Sequence, residues 1–233
     1  MARLVRATRA GVTLALPLIV TLTGCASSTN AGIASKSPAQ ILAASRAAAL
    51  SSSSVRVVSR ASQGRLTVTI QMEASRGSGR ASLSLLGLSY EAIRIGSTLY
   101  LKGNKAFTRQ LARITHRKLT PGTWLKAPAD APQLSSFAAL TKLHAELTLL
   151  LSNDYPTTRG PMTKLNGQHA VELTQTAKLF TGSLYIATTG KPYPIELLKH
   201  GRETGQTTYS NWNQTVRLTA PANATKLNSL KAG

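Results

Sequence analysis

Three observations predict an α+β fold built on an antiparallel sheet. Leu66, Val68, Ile70 and Met72 alternate with Thr67, Thr69, Gln71 and Glu73, the period-two pattern of a strand buried on one face. Short turn signals, Arg76-Gly77-Ser78-Gly79 and Gly96-Ser97, separate such stretches, and connections this tight join antiparallel neighbours. A helix signature precedes the first strands: Ser37-Pro38-Ala39-Gln40 places an N-cap serine, a first-turn proline and a capping-box glutamine in register.

The elements then follow in chain order. The opening helix runs from Pro38 to about Leu50 and ends in the serines 51–54. Strand periodicity starts at Val55; after the 66–73 strand, Ala81, Leu83 and Leu85 alternate on the next, and Tyr90–Ile95 and Thr98–Lys102 form a tight hairpin. Residues 104–114 read as a helix with Phe107, Leu111 and Ile114 on one face and Lys105, Arg109, Arg113 and Arg117 on another, Arg117 standing near or beyond its end. After Pro121-Gly122 and a short strand at Trp124–Lys126, the pattern predicts the longest helix over 133–152. Its leucines surround most of the circumference, so it needs cover on more than one side. Strands are then expected at 169–174, 182–188, 193–200, 207–211 and 216–218, followed by a polar tail.

The N-terminus has a separate logic. Arg3, Arg6 and Arg9 precede a short apolar stretch from Gly11 to Leu22, which ends in Leu22-Thr23-Gly24-Cys25. A basic start, an apolar middle and a small-residue end make an export signal, and the apolar stretch is too short to span a bilayer, which takes roughly 20 residues. The Leu-x-Gly-Cys ending resembles the bacterial lipobox. That resemblance implies cleavage before Cys25 and a diacylglycerol on its sulfur. Cys25 is the single cysteine of the chain, so the exported domain would fold without disulfides. The expected organisation is a signal peptide at 1–24, a flexible tether carrying the lipidated cysteine at 25–36, one domain at 37–220 and a polar tail at 221–233.

Charge narrows the partners. Lys and Arg number 28 against 8 acids, a formal +20. A balance this basic ordinarily points to nucleic acid, but export and the lack of any nucleic-acid motif turn the expectation to anionic lipid headgroups or wall polymers. A basic stripe opposite an apolar helix face suits docking on an anionic membrane, which makes Lys105, Arg109, Arg113 and Arg117 candidate docking residues; a solvated helix face is the alternative. Catalysis finds no support. The four histidines lack metal-ligand spacing, and no nucleophile elbow or phosphate loop is present. No enzyme activity and no cofactor are expected.

Four stretches carry a family resemblance: Asn166-Gly167-Gln168-His169-Ala170-Val171-Glu172-Leu173, Gly182-Ser183-Leu184-Tyr185-Ile186-Ala187, Gly190-Lys191-Pro192-Tyr193-Pro194, and Thr207 to Asn213 with Ser210 and Trp212. With the leader and the meander, they resemble the LppX/LprG-related actinobacterial envelope lipoproteins of LolA-like fold. The resemblance implies an antiparallel sheet curled into a half-barrel, helices on its concave face and an apolar cavity between them. It also implies binding, and ferrying, of an acylated lipid or glycolipid. Candidate cavity residues come from the pattern itself: Leu66, Val68, Ile70, Leu83 and Leu85 on the sheet, and Leu140, Leu143 and Leu147 on the long helix. The alternative is a non-carrier envelope lipoprotein whose basic surface binds wall polymers, membrane or a protein partner. A monomer is expected in either case.

Overall fold

The computed structural model describes residues 31–144, 147–148 and 155–229. Cys25 and the leader lie outside the described residues. Helices whose bounds fall among the described residues are α1 (Ala31–Ala34), α2 (Pro38–Leu50), α3 (Lys105–Thr115) and α4 (Ser135–Ala139), the last following a 3-10 turn at Pro132–Leu134. The first group of strands is β1 (Ser54–Gln63), β2 (Leu66–Ser75), β3 (Ser78–Leu85), β4 (Leu88–Ile95), β5 (Thr98–Gly103) and β6 (Leu125–Pro128). The second is β7 (Thr157–Leu165), β8 (Gln168–Thr176), β9 (Phe180–Ala187), β10 (Pro194–Gly201), β11 (Glu203–Ser210) and β12 (Thr225–Lys226).

All twelve belong to one curved sheet in the order β12-β6-β5-β4-β3-β2-β1-β11-β10-β9-β8-β7. Two antiparallel meanders, β1–β6 and β7–β11, are joined where β1 pairs with β11 from Arg56↔Ser210 to Gln63↔Glu203. The helices cover the concave face. One cross-strand row there, Leu101, Ala92, Ala81, Met72, Val57 and Tyr209, is buried along its length. Over it Tyr90 stacks on Phe107 at 5.1 Å, and both meet the edge of Phe137, tying α3 and α4 to the sheet.

The opening helix forms as its signature predicts: the Gln40 N–H donates to Ser37 Oγ at 3.3 Å, and the Ser37 N–H to Gln40 Oε1 at 3.1 Å. Five expectations need correction. The helix over 133–152 is not continuous. The N–H groups of Thr141 and Lys142 bond to Ala138 and Ala139, three residues back, and the Thr141 hydroxyl takes the Ala138 carbonyl at 2.7 Å, a tightening that ends a helix. Helix resumes at Leu143. The freed Thr141 carbonyl accepts from Arg94 Nη2 at 3.1 Å, and it lies so close to Gly79 that any side chain there would overlap it.

The second correction is β7, which no alternation announced. Gly160-Pro161 interrupts it, and the register shifts between Arg159 and Met162; proline is tolerated there because β7 is an edge strand with a bulge. Third, 216–218 forms no strand. Asn211 and Asn213 adopt left-handed backbone just after β11, which turns the chain out of the ladder. Fourth, the polar tail is held in part: Thr225–Lys226 adds to β6 in parallel, and Leu227 is buried. Fifth, the end of the tether is structured, since 31–34 is helical and Ile33 packs against the core.

Candidate functional site

The concave face is not filled evenly. Beside the buried row run two further cross-strand rows. The first is Leu83, Ile70, Ser59, Thr207, Leu197 and Leu184; the second is Leu85, Val68, Ala61, Gly205, Lys199 and Gly182. Both begin with large apolar side chains on β3 and β2, then shrink to Ser59, Ala61, Gly205 and Thr207 where β1 meets β11. Four small residues in a square leave a depression in an otherwise apolar surface.

A cavity of about 220 Å³ sits over that square. Leu42 of α2 lines it from above, and Phe180, Leu184 and Leu197 form one wall. The floor hydroxyls satisfy each other, Ser59 Oγ and Thr207 Oγ1 lying 2.8 Å apart, so the floor presents little unmet polarity. Lys199 and Gln175 also line the space. The Lys199 ammonium is neutralised locally: it donates to Glu203 Oε1 at 2.7 Å and sits 4.5 Å above the Phe180 ring. Tyr155 meets the edge of that ring at 5.4 Å.

Of the eight sequence-predicted cavity residues, Leu140, Leu143 and Leu147 are buried in the main core, and Ile70 and Leu83 pack against it. Val68 and Leu85 are half-buried, and Leu66 is exposed at the end of its hairpin. None of the eight lines the cavity. Val68 and Ile70 are instead the direct cross-strand partners of the floor residues Ala61 and Ser59. The space lies one strand further along, because the small residues that make it are on β1 and β11. Their alternation is readable at Ser59 and Ala61, but the β1–β11 pairing that completes the square joins residues far apart in sequence.

The basic stripe divides. Lys105, Arg109 and Arg113 stand exposed on α3. His116 takes left-handed backbone and ends the helix, so Arg117 leaves the stripe and lines a separate pocket. Ile114, expected on the buried face, is 38 % exposed, and Thr108 is buried beside Phe107 and Leu111. Among the described residues, no three His, Cys, Asp or Glu side chains are grouped to hold a metal ion, and no helix is long and apolar enough to cross a membrane.

A curved, almost wholly antiparallel sheet with helices on its concave side is a fold that this chain shares with a solved structure. The chain matches no family model and no curated protein by sequence. Among solved structures it is similar to LprF from Mycobacterium bovis, with a TM-score of 0.51 and 16% identity, covering 80% of this chain and 97% of that one. It also aligns with the Mycobacterium tuberculosis lipoprotein LppX, with a TM-score of 0.48 and 16% identity, over 78% of this chain and 99% of that one. The likeness to LprF is one of fold.

Proposed function

We propose that this chain is an exported lipoprotein, lipidated at Cys25, that binds and carries an acylated lipid or glycolipid at the membrane face without covalent chemistry. The cavity over Ser59, Ala61, Gly205 and Thr207 is the observation that carries this reading. At about 220 Å³ it is smaller than the roughly 300–1,000 Å³ of drug-sized sites, so it suits a segment of one acyl chain. Each methylene transferred there gains about 0.8 kcal/mol. A bulkier lipid requires the Leu42 side of the roof to move.

Two surfaces support work at a membrane. Ile33, packed against the core, is eight residues from Cys25, and eight extended residues reach at most roughly 28 Å, so an anchored domain stays at the bilayer surface. The β3–β4 hairpin tip places Leu86 in solvent, 78% exposed. Asn104, the N-cap of α3, donates through Nδ2 to the Gly87 carbonyl at 2.7 Å, which ties the start of α3, where the exposed Lys105 follows, to that apolar tip. Leucine beside cations is the combination that partitions into an anionic interface.

Native mass spectrometry of the protein, with extraction of co-purifying lipid, tests the carrier reading. A stoichiometric acylated species is the expected result. Repeated preparations without lipid would favour the second reading, a non-carrier lipoprotein whose basic α3 face binds anionic wall polymers or a protein partner; the exposure of Lys105, Arg109 and Arg113 is what speaks for it.

A further inference from the structure

Gln175, on β8, is an unused polar group at one end of the cavity. Val171, Leu173 and Gln175 share a face by strand alternation, and the first two are buried in the main core. Gln175 follows them inward: it is 7% exposed and lines the cavity. Its side-chain amide makes no hydrogen bond among the described residues. The neighbours across the sheet offer none. On β7, Thr157 gives its hydroxyl to the Tyr155 carbonyl at 2.7 Å. On β9 the neighbour is Gly182, where a Cβ would stand 3.1 Å from the Phe180 ring. An amide carries two donors and an acceptor, and burying it without a partner is costly.

The other polar side chains at the cavity are already engaged. Ser59 and Thr207 bond each other, and Lys199 is paired with Glu203. Gln206 donates to Glu196 at 2.8 Å. Arg60 lies between the floor residues Ser59 and Ala61, so alternation turns its side chain to the convex face, where it is exposed. The described lining therefore combines an apolar wall and roof, a satisfied floor, a balanced ion pair and one amide left to bond.

That combination discriminates among acyl compounds. A hydrocarbon chain alone leaves the amide unsatisfied. A carboxylate brings a charge that burial disfavours and that Lys199, already paired, does not balance. An ester carbonyl is neutral and accepts a hydrogen bond. We infer that Gln175 sets the specificity of the cavity, donating from Nε2 to the carbonyl of a neutral acyl ester whose chain lies along Phe180, Leu184 and Leu197. This specificity rests on the acyl-chain reading of the cavity and adds the chemical linkage that the chain carries.

The test takes the full chain, freed of co-purifying lipid and held in a fluorinated surfactant, whose chains mix poorly with hydrocarbon. It is given equal amounts of monodecanoylglycerol and monodecylglycerol ether, which differ by a carbonyl in place of a methylene, and native mass spectrometry reads which is bound. The ester should exceed the ether about five-fold or more. Gln175→Met keeps the length of the side chain without its amide and should take the two equally, whereas Gln206→Met should keep the preference. Decanoate in the same competition should bind more weakly than the ester. Stronger binding of decanoate, equal binding of ester and ether to the unaltered protein, or an ester preference that survives in Gln175→Met overturns the inference and leaves an acyl-chain cavity standing. If none of the three probes binds, the carrier reading falls with it. The ester-to-ether ratio of the unaltered protein needs no substitution, so it decides the matter even where Gln175→Met folds poorly.

Discussion

Tyr193 and Trp212 stack face to face, with ring centroids 4.5 Å apart and planes 6° from parallel. Tyr193 precedes β10 and Trp212 follows β11, so the stack clamps the two ends of one hairpin. Trp212 also lies against Tyr209 and donates from Nε1 to the Pro194 carbonyl at 3.3 Å. Asn213 extends the clamp to the start of β1, donating to the Tyr193 hydroxyl at 2.6 Å and accepting the Ser53 N–H at 2.9 Å. The β1–β11 junction, on which the cavity floor depends, is thus pinned at one end by aromatic packing.

Trp212→Ala is expected to lower stability by about 2–3 kcal/mol, the sum of the lost stack, area and hydrogen bond. Trp212→Phe keeps a ring but not the indole donor and should lose about 1 kcal/mol. Urea unfolding measures both, with an unchanged m-value showing that the fold is retained. A loss in Trp212→Ala no larger than in Trp212→Phe would mean that the stack contributes little.

Much of this architecture was legible in local sequence. The Ser37 capping box and the 66–73 alternation each name their element because the cause lies within a few residues. The Gly-x-Pro-Tyr-Pro turn and the Trp212 strand end were readable as separate motifs, but not their contact, which depends on the β10–β11 hairpin bringing Tyr193 to Trp212. The candidate residues on β2 and β3 fall beside the 220 Å³ cavity and not on it for the same kind of reason. Facing residues on β2 and β3 can be read by parity, whereas a depression needs small residues from β1 and β11 side by side. The break at Thr141 depends on Arg94 and Gly79, which are distant in sequence and close only in the fold.

Tyr209 carries a buried hydroxyl with no hydrogen-bond partner among the described residues. Burial raises its phenol well above the ordinary value of 10.0. In the unfolded chain that phenol ionises near 10, while the folded protein keeps it protonated. The unfolded state therefore binds fewer protons above pH 10, and stability falls as pH rises beyond that point, by about 1.4 kcal/mol per unit from this group; below pH 10 it adds no pH dependence. Tyr209→Phe removes an unsatisfied polar group at nearly constant shape. It should stabilise the protein by about 1 kcal/mol at neutral pH and flatten the alkaline slope. Denaturant titrations at pH 7 and pH 11 read both effects, and a destabilised Tyr209→Phe protein would show that the hydroxyl is satisfied.

The cavity exists because its floor is small, so enlarging the floor should close it. Ala61 faces the space between Val68 and Gly205. A phenylalanine there occupies the volume an acyl segment would use, and its position on a half-open surface limits the overpacking penalty to about 1–3 kcal/mol. Ala61→Phe is expected to fold and to carry at least several-fold less co-purifying lipid by mass spectrometry. Leu66→Ala, at the exposed hairpin end, should leave lipid content unchanged. Full lipid content in Ala61→Phe would place the ligand elsewhere.

The chain contains its own control for the β3–β4 turn. Leu86-Gly87 and Asn166-Gly167 both close two-residue hairpins with positive φ at each position, 49° and 77° in the first and 48° and 84° in the second. That geometry favours Asn-Gly, and the β7–β8 hairpin uses it. At β3–β4 a leucine holds the left-handed position, at a penalty of about 1–2 kcal/mol, and it points into solvent. Leu86→Asn should therefore raise folding stability by about 1 kcal/mol. If the tip enters the interface, the same change removes about 1.5–3 kcal/mol of apolar transfer, a ten-fold or greater loss of binding to anionic vesicles in co-sedimentation. Leu86→Ala separates the two effects, since it loses the apolar contact without gaining the asparagine's backbone compatibility. A variant that gains stability and binds vesicles as before would assign Leu86 no part in membrane contact.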